Sequence, residues 1–197
     1  MQKLVIASNN TGKLKEIQQI LTPFAFEVQP QKKLAVTEIE EPYQTFVEYA
    51  LVKARHASKH TGLPALADDS GICVHSLGGA PGVFSARYAG EPKSDQRNNQ
   101  KLVETLKSYS DRTAYYYCIL VLMRNVDDPQ PIIADGYWYG EIVLEPRGEG
   151  GFGYDPYFFV PELGKTVAEL SSEQKNQYSH RAKALKKLTE MLVDHRF

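Results

Sequence analysis

Hydrophobic positions near the start of the chain follow two spacings in turn. Residues 3–8, Lys-Leu-Val-Ile-Ala-Ser, form a short apolar run that is typical of a buried strand. Leu14, Ile17 and Leu21 then recur at helical spacing, after a polar turn at 9–13. The pattern predicts a strand, a loop and a helix within the opening of the chain.

Three further helices are predicted from the same periodicity. Apolar side chains share one face over 43–60, and Gly62 follows as a C-terminal cap. A third helix begins after Ser94 or Asp95, either of which can cap it. A last helix covers 179–192, where leucines form an apolar stripe.

Between these helices the apolar residues favour strands. The run at 63–67 is strand-like, and the aromatic and β-branched residues of 113–124 predict a long strand. A polar turn at 125–131 returns the chain into a second long strand over 132–144, predicted to be antiparallel to the first. We therefore expect one mixed α/β domain over residues 1–197.

Two adjacent acids, Asp68 and Asp69, follow the strand-like run at 63–67. Taken alone, Asp-Asp-Ser-Gly is more often a turn or a helix cap than a ligand site. However, α/β folds gather ligand groups at strand ends, and a second acidic cluster at 38–41 lies upstream. Carboxylates from two segments, without a cysteine or histidine cluster, suit a hard ion such as Mg²⁺. A magnesium site and a simple turn are both open at this point.

The polar segment 8–13, Ser-Asn-Asn-Thr-Gly-Lys, stands between the first strand and the first helix. Backbone N–H groups at such a junction, together with the helix N-terminus, can hold phosphate. The segment is not a Walker A motif, because the first glycine is missing and Lys13 is followed by Leu14. A strand–loop–helix is common, so this signal is weak by itself.

A glycine-rich segment over 148–158 is the second candidate ligand loop. Its glycines let the backbone approach a ligand, and Phe152 offers a ring to a base. A tight turn with core aromatics explains the segment equally well. Farther along, Lys175 and Arg181 lie near a predicted helix start, where the helix dipole disfavours cations unless an anion lies between them.

Composition narrows the class of protein. The 197 residues are 42% hydrophobic, and the net charge is −1 from 23 basic and 24 acidic residues. This balance argues against nucleic-acid or membrane-surface partners, which need a basic excess. Cys73 and Cys118 are expected to be separate buried thiols. A short apolar N-terminus and the lack of an 18-residue apolar run predict a cytoplasmic protein.

Five motifs occur together and in order: the segments 8–13, 67–71, 77–90, 150–158 and 179–181. Across essentially the whole chain they resemble the inosine/xanthosine triphosphate pyrophosphatases, the Ham1-like enzymes that clear deaminated purine nucleotides. The resemblance implies an elongated mixed sheet with flanking helices and two lobes around a nucleotide cleft. It also implies a homodimer, Mg²⁺ dependence, and cleavage of a nucleoside triphosphate to the monophosphate and pyrophosphate.

The resemblance also implies roles for individual residues. Asp69 is the metal ligand and general base, sharing the metal with Glu40 or Glu41, and Ser70 contacts the substrate. The residues implied to hold the triphosphate are Ser8, Asn9, Asn10, Thr11, Gly12 and Lys13. Those implied to contact the nucleotide and its base are Phe152, Gly153, Tyr154, Asp155, Lys175, His180 and Arg181.

In this mechanism Asp69 orients a water, while Asp68 supports either the turn or the groups that surround the metal ligand. Lys13, Lys175 and Arg181 neutralise phosphate charge, with Lys53 a weaker candidate. Base choice would come from a donor aimed at the purine 6-oxygen, which adenine lacks. The His180 ring and the Arg181 side chain are the two donors considered.

Two residues depart from the family pattern, and two rival functions stay open. Asn9 stands where the family usually has glycine, and Tyr49 where it often has asparagine. The first rival is a pyrophosphatase for other nucleotides, such as modified pyrimidines, on a related fold. The second is a nucleotide sensor without hydrolysis, which the intact Asp69, Lys13 and Arg181 disfavour.

Overall fold

Seven strands form one mixed sheet. The computed structural model describes residues 2–24, 26–37, 39 and 43–195, and only the backbone of 193–195. The strands are β1 (Gln2–Ile6), β2 (Phe26–Pro30), β3 (Ala65–Val74), β4 (Thr113–Met123), β5 (Ile132–Ile142), β6 (Phe158–Val160) and β7 (Lys165–Thr166). Their order is β2-β1-β3-β4-β5-β6-β7. β1 runs parallel to β2 and β3, whereas β6 is antiparallel to β5 and β7, which confirms the mixed sheet.

The α-helices begin and end largely where local capping signals place them. They are α1 (Thr11–Leu21), α2 (Phe46–Thr61), α3 (Asp95–Leu106), α4 (Ser172–Tyr178) and α5 (His180–His195). Thr45 and Glu48 form a capping box at the start of α2, and Gly62 ends it with φ +67°. Ser94 caps α3 through its side chain. Within the described residues, none of these helices is long and apolar enough to cross a membrane.

Three local expectations need correction. α1 already begins at Thr11, because the Asn10 side chain accepts the Lys13 N–H, so the polar turn predicted over 9–13 is shorter. The acid pair lies in the middle of β3 rather than at a strand end or in a turn. Lys175 lies inside α4, a short helix that the sequence pattern did not predict.

The chain divides into two compact units, each with its own core. Unit 1 comprises Met1–Asp69, Cys118–Gly136 and His180–Phe197. In unit 1, α1 and α5 pack on β1, β3 and β4 through buried apolar side chains: Leu4, Ile6, Ile17, Leu21, Leu66, Cys118, Leu120, Leu122, Ala184, Leu185 and Leu188.

Unit 2 comprises Ser70–Tyr117 and Tyr137–Ser179. Its core joins α3 to its own strand segments: Ile72, Val74, Leu102, Leu106, Ala114, Tyr116, Trp138, Ile142, Tyr154, Phe158, Val160 and Val167.

Both cysteines, Cys73 and Cys118, are free and buried, as expected from their apolar surroundings.

Candidate functional site

The adjacent acids in β3 have different partners, because successive side chains of a strand point to opposite faces. Asp68 is 2% exposed and Asp69 is 8% exposed. The partners of Asp68 come from α1, β4 and α5, and the partner of Asp69 comes from α2. Each of the two adjacent charges therefore has a cation of its own within ion-pair distance, Lys13 and Arg181 for Asp68 and Lys53 for Asp69.

Asp68 is at the centre of a buried ionic network. It accepts from Arg181 Nε at 2.8 Å, lies 2.5 Å from Lys13 Nζ, and accepts from Cys118 Sγ at 3.0 Å. Arg181 is itself 1% exposed and also contacts Glu16. Burial opposes ionisation of Asp68, but the positive charges of Arg181 and Lys13 outweigh it and hold the pKa of Asp68 well below its usual value.

Asp69 has a weaker set of compensating charges. Its Oδ1 lies 2.7 Å from Lys53 Nζ, whose ammonium is 5.5 Å from the centre of the Tyr49 ring. Burial is the largest influence and raises the pKa of Asp69, although Lys53 and Lys13 partly oppose the rise. Tyr49, where the family often has asparagine, is thus a buried aromatic support beneath Lys53.

The opposite pKa shifts of Asp68 and Asp69 separate their chemistry. Asp68 is an anion at neutral pH, held in place by two cations. Asp69 has a raised affinity for a proton, which is the property of a carboxylate that accepts one during a reaction. Neighbouring carboxyl groups with diverging pKa values are a recurrent feature of catalytic sites.

The predicted triphosphate segment lies at the junction of β1 and α1 in the same unit. Asn10 caps the helix, and its own N–H donates to Ser8 Oγ at 3.2 Å. Asn9 accepts from Gln31 Nε2 at 3.2 Å. Thr11 and Gly12 form the first helical turn, whose N–H groups have no partner inside a helix.

Asn9 does not use the freedom of the glycine it replaces. Among the described residues, Ala35 is the single non-glycine residue with positive φ, so Asn9 adopts no left-handed conformation. The turn of this chain therefore does not need a glycine at position 9.

A second group of expected site residues lies together in unit 2. Asp155 is 3% exposed and binds Lys175 Nζ at 2.7 Å, the Tyr116 hydroxyl at 3.1 Å and the Phe152 N–H at 2.9 Å. The Lys175 ammonium lies 4.3 Å from the centre of the Phe152 ring. The glycine-rich loop is thus closed around a buried ion pair, with Phe152 half-buried beside it.

The remaining expected residues have simpler surroundings. Tyr154 is buried and its hydroxyl donates to the Ser85 carbonyl at 2.7 Å. Ser70 follows the acid pair in β3 and is half-buried. His180 is 5% exposed and is the first residue of α5, beside Arg181.

Glu40 and Glu41, the expected second metal ligands, lie outside the described residues. Within the described residues there is no group of three or more His, Cys, Asp or Glu side chains arranged to hold a metal. Asp69 is nevertheless a hard oxygen donor beside Lys53. Mg²⁺ usually takes one or two protein carboxylates and completes its shell with water and phosphate oxygens. The described donor set is therefore compatible with Mg²⁺ held through Asp69 and a substrate.

Sequence reasoning did not identify Glu16 as a partner of Arg181, Cys118 as a partner of Asp68, or Tyr116 as a partner of Asp155. Glu16 follows Lys13 by three residues, so both belong to one face of α1, which is a signal that was available. Cys118 is 50 residues from Asp68, and Tyr116 is 39 residues from Asp155. Contacts at that separation leave no local pattern.

Comparison with known proteins identifies relatives that match nearly the full length of this chain. The model of the Ham1 family matches residues 4–191. A Nitrosomonas europaea protein named dITP/XTP pyrophosphatase is 66% identical over 98% of this chain and 96% of its own length. A Ralstonia nicotianae protein of the same name is 60% identical over 98% of this chain and 97% of its own.

Solved structures agree in fold. A HAM1 protein from Coxiella burnetii superposes with a TM-score of 0.92 at 49% identity, covering 98% of this chain and 100% of the other. The Staphylococcus aureus Ham1 protein gives a TM-score of 0.87 at 41% identity, with 98% and 99% covered. Family match, sequence identity and fold lead to one conclusion: this chain belongs to the Ham1 family.

Proposed function

We propose that this protein hydrolyses deaminated purine nucleoside triphosphates, those of inosine, deoxyinosine and xanthosine, to the monophosphate and pyrophosphate. The observation that carries the proposal is the pair of adjacent buried carboxyls in β3, of which Asp68 binds Arg181 and Lys13 while Asp69 faces Lys53. The relatives named dITP/XTP pyrophosphatase, 66% and 60% identical, support this choice of substrate. Removal of such nucleotides would keep their bases out of DNA and RNA.

Asp69 is the general base of the proposed reaction. It accepts a proton from a water molecule as the water oxygen forms a bond to phosphorus. The phosphorus–oxygen bond to the departing pyrophosphate breaks in the same displacement. Lys53, 2.7 Å from Asp69, keeps the carboxylate ionised before the reaction and orients it. Most of the catalytic effect would come from such positioning and from charge stabilisation.

In the proposed reaction Asp68 acts through its cation partners and does not contact the substrate. Because Arg181 and Lys13 both bind it, Asp68 fixes where these two cations lie. Lys13 extends from the first turn of α1, where backbone N–H groups favour phosphate. In the proposed complex, the segment Ser8–Lys13 holds the triphosphate, and Lys13 neutralises part of its charge.

A divalent cation completes the proposed site, and Mg²⁺ fits the oxygen donors. Asp69 would hold the ion, with Glu40 or Glu41 as the second carboxylate. When bound, the ion would neutralise triphosphate charge and orient the phosphates. The cations Lys13 and Lys53 supply the same kind of stabilisation from the protein.

Hydrogen bonding and a ring contact would select the base. Phe152 offers its ring to the purine, and Lys175 and Asp155 form the ion pair beneath that ring. A donor aimed at the 6-oxygen, from His180 or Arg181, would favour hypoxanthine and xanthine over adenine. A buried donor left unpaired by adenine can discriminate by as much as about 10⁴-fold.

The quaternary and cellular context follows the family resemblance. We include in the proposal a homodimer in the cytoplasm, acting on a small substrate without nucleic-acid or membrane partners. The net charge of −1 supports the last point. Analytical ultracentrifugation at micromolar concentration tests the dimer, and a sedimenting monomer would contradict it.

Product analysis tests the function itself. Inosine, xanthosine, adenosine and guanosine triphosphates are incubated with the protein, each with Mg²⁺ and with a chelator. Pyrophosphate released from the first two, and only with metal, is the expected result. Orthophosphate as product, or equal rates on all four nucleotides, would contradict the proposal. Binding without turnover would favour a sensor, and preference for a modified pyrimidine would favour the related pyrophosphatase.

A further inference from the structure

Helix α3 binds both polar main-chain atoms of Gly153 in the glycine-rich loop. The Gly153 N–H donates to Asp95 Oδ2 at 2.8 Å, and the Gly153 carbonyl accepts from Asn99 Nδ2 at 2.9 Å. Asp95 and Asn99 are four residues apart, so they lie on the same face of the helix. One helical face therefore holds one loop residue from two sides.

These two hydrogen bonds fix the direction of the loop on either side of Gly153. The N–H belongs to the peptide unit shared with Phe152, and the carbonyl belongs to the unit shared with Tyr154. Gly153 has φ +64°, a conformation that other residues rarely adopt. With both peptide planes held, the point from which the Phe152 ring projects is held as well.

The helix that provides these contacts is itself firmly anchored in unit 2. Leu102 and Leu106 are fully buried in the core. Asn98 accepts from the Ala89 N–H at 2.7 Å and donates to the Ala86 carbonyl at 3.1 Å. A ligand-binding group is positioned most accurately when a rigid element supports it.

Asn99 has an additional feature that simple packing does not explain. The residue is 7% exposed, and its Oδ1 has no hydrogen-bond partner among the described residues. A buried acceptor without a partner is unfavourable, and an apolar residue of similar size would avoid it. The amide is therefore explained by its donor, which reaches Gly153.

We propose that Asp95 and Asn99 are positioning residues that hold Gly153, and through it Phe152, in the orientation that discriminates between purine bases. This inference rests on the proposed function, because it assigns the base to the Phe152 ring. It adds α3, a helix outside every motif that resembles the family, to the elements that set specificity. Neither Asp95 nor Asn99 needs to touch the nucleotide.

Variants of Asp95 give the cleanest test, because this residue is exposed and its loss leaves the core intact. Asp95→Ala removes the acceptor for the Gly153 N–H. Asp95→Asn loses the charge but keeps an oxygen that can accept the same bond. Glu104→Ala is the matched control, since Glu104 is another exposed carboxylate on α3, paired with Lys107. Asn99→Leu removes the second contact at similar volume.

The measured quantities are kcat and KM for inosine and adenosine triphosphates, with the thermal midpoint of each variant. We expect Asp95→Ala and Asn99→Leu to reduce the inosine-over-adenosine ratio of kcat/KM roughly tenfold, through misplacement of the ring. Asp95→Asn and Glu104→Ala should stay within about twofold of the wild type. Unchanged selectivity in Asp95→Ala, or a lower thermal midpoint with selectivity retained, would overturn the inference.

A readout without turnover separates this inference from the proposed function. Hydrogen exchange of the Gly153 amide in the full chain should accelerate roughly tenfold in Asp95→Ala and not in Asp95→Asn or Glu104→Ala. Unchanged exchange in Asp95→Ala would refute the contact. If the wild type hydrolyses neither nucleotide, the proposed function fails, and the role in base discrimination fails with it. If the wild type is active and selective while Asp95→Ala matches it, the positioning role alone fails.

Discussion

Substituting Asn separately for Asp68 and for Asp69 should have opposite consequences, although the residues are adjacent and the substitutions are the same size. Asp68→Asn removes the anion on which Arg181 and Lys13 depend. Asp69→Asn removes an anion that burial already disfavours, as the raised pKa of Asp69 indicates. We expect the first variant to lose stability and the second to lose activity.

The magnitude follows from burial. Arg181 is 1% exposed, and without Asp68 its remaining carboxylate partner among the contacts described above is Glu16. Breaking a buried ion pair by removing one partner costs about 3–5 kcal/mol. For a chain of this length 1 kcal/mol corresponds to about 2–4 °C, so Asp68→Asn should unfold roughly 6–20 °C below the wild type. Asp69→Asn should change the free energy of unfolding by less than about 1 kcal/mol, since Lys53 is partly exposed to water.

Urea and thermal unfolding at pH 7, followed by circular dichroism, measure both variants against the wild type. Lys187→Ala is a suitable control, because it removes an exposed ion pair with Asp135 on α5 and β5. The control should stay within about 1 kcal/mol of the wild type. Equal unfolding midpoints for Asp68→Asn and Asp69→Asn would refute the assignment of Asp68 as a supporting anion and of Asp69 as the reactive carboxylate.

Further predictions concern the pH dependence of stability, packing at Gly136 and the Lys175–Asp155 ion pair. Because the folded-state pKa of Asp68 lies below the unfolded value near 3.8, its stabilisation is present above that pH and is lost as pH falls below it. The stability gap between wild type and Asp68→Asn should therefore narrow in acid titrations as the pH falls below about 3.8, and a constant gap would contradict this. An added Cβ at Gly136 would overlap the His180 carbonyl, so Gly136→Ala should lower the free energy of unfolding in urea by about 1–3 kcal/mol. A variant as stable as the wild type would show that α5 shifts freely. Lys175→Met removes the cation that pairs with Asp155, so it should lower the free energy of unfolding by about 3 kcal/mol and raise KM for the nucleotide. An unchanged KM would show that the Lys175–Asp155 pair takes no part in substrate binding.

Local features of the fold could be predicted because the signals that create them are local. Gly62 ends α2 in a left-handed conformation, and Ser94 caps α3, both as expected from the residue types. The two long strands are close to their predicted bounds, since aromatic and β-branched residues favour extended backbone. The short α4 was missed because its seven residues are almost entirely polar, although the capping box of Ser171 and Gln174 was a local signal for its start.

The surroundings of the acid pair could not be predicted in the same way. Asp-Asp-Ser-Gly has low strand propensity, so local rules favour a turn. The strand is instead stabilised by Arg181, which is 113 residues away from Asp68. Motif order predicted Asp69, Lys13 and Arg181 as site residues, but it did not predict that Asp68 binds both cations. That detail depends on tertiary packing.

The central claim is that Asp69 activates water for cleavage of a nucleoside triphosphate. Its most direct test is the turnover of inosine triphosphate by Asp69→Asn with Mg²⁺, with pyrophosphate release measured beside the wild type and beside Lys187→Ala. Asp69→Asn should lose at least about 10³-fold in kcat and keep a thermal midpoint close to that of the wild type. Turnover by Asp69→Asn close to the wild-type rate would contradict it.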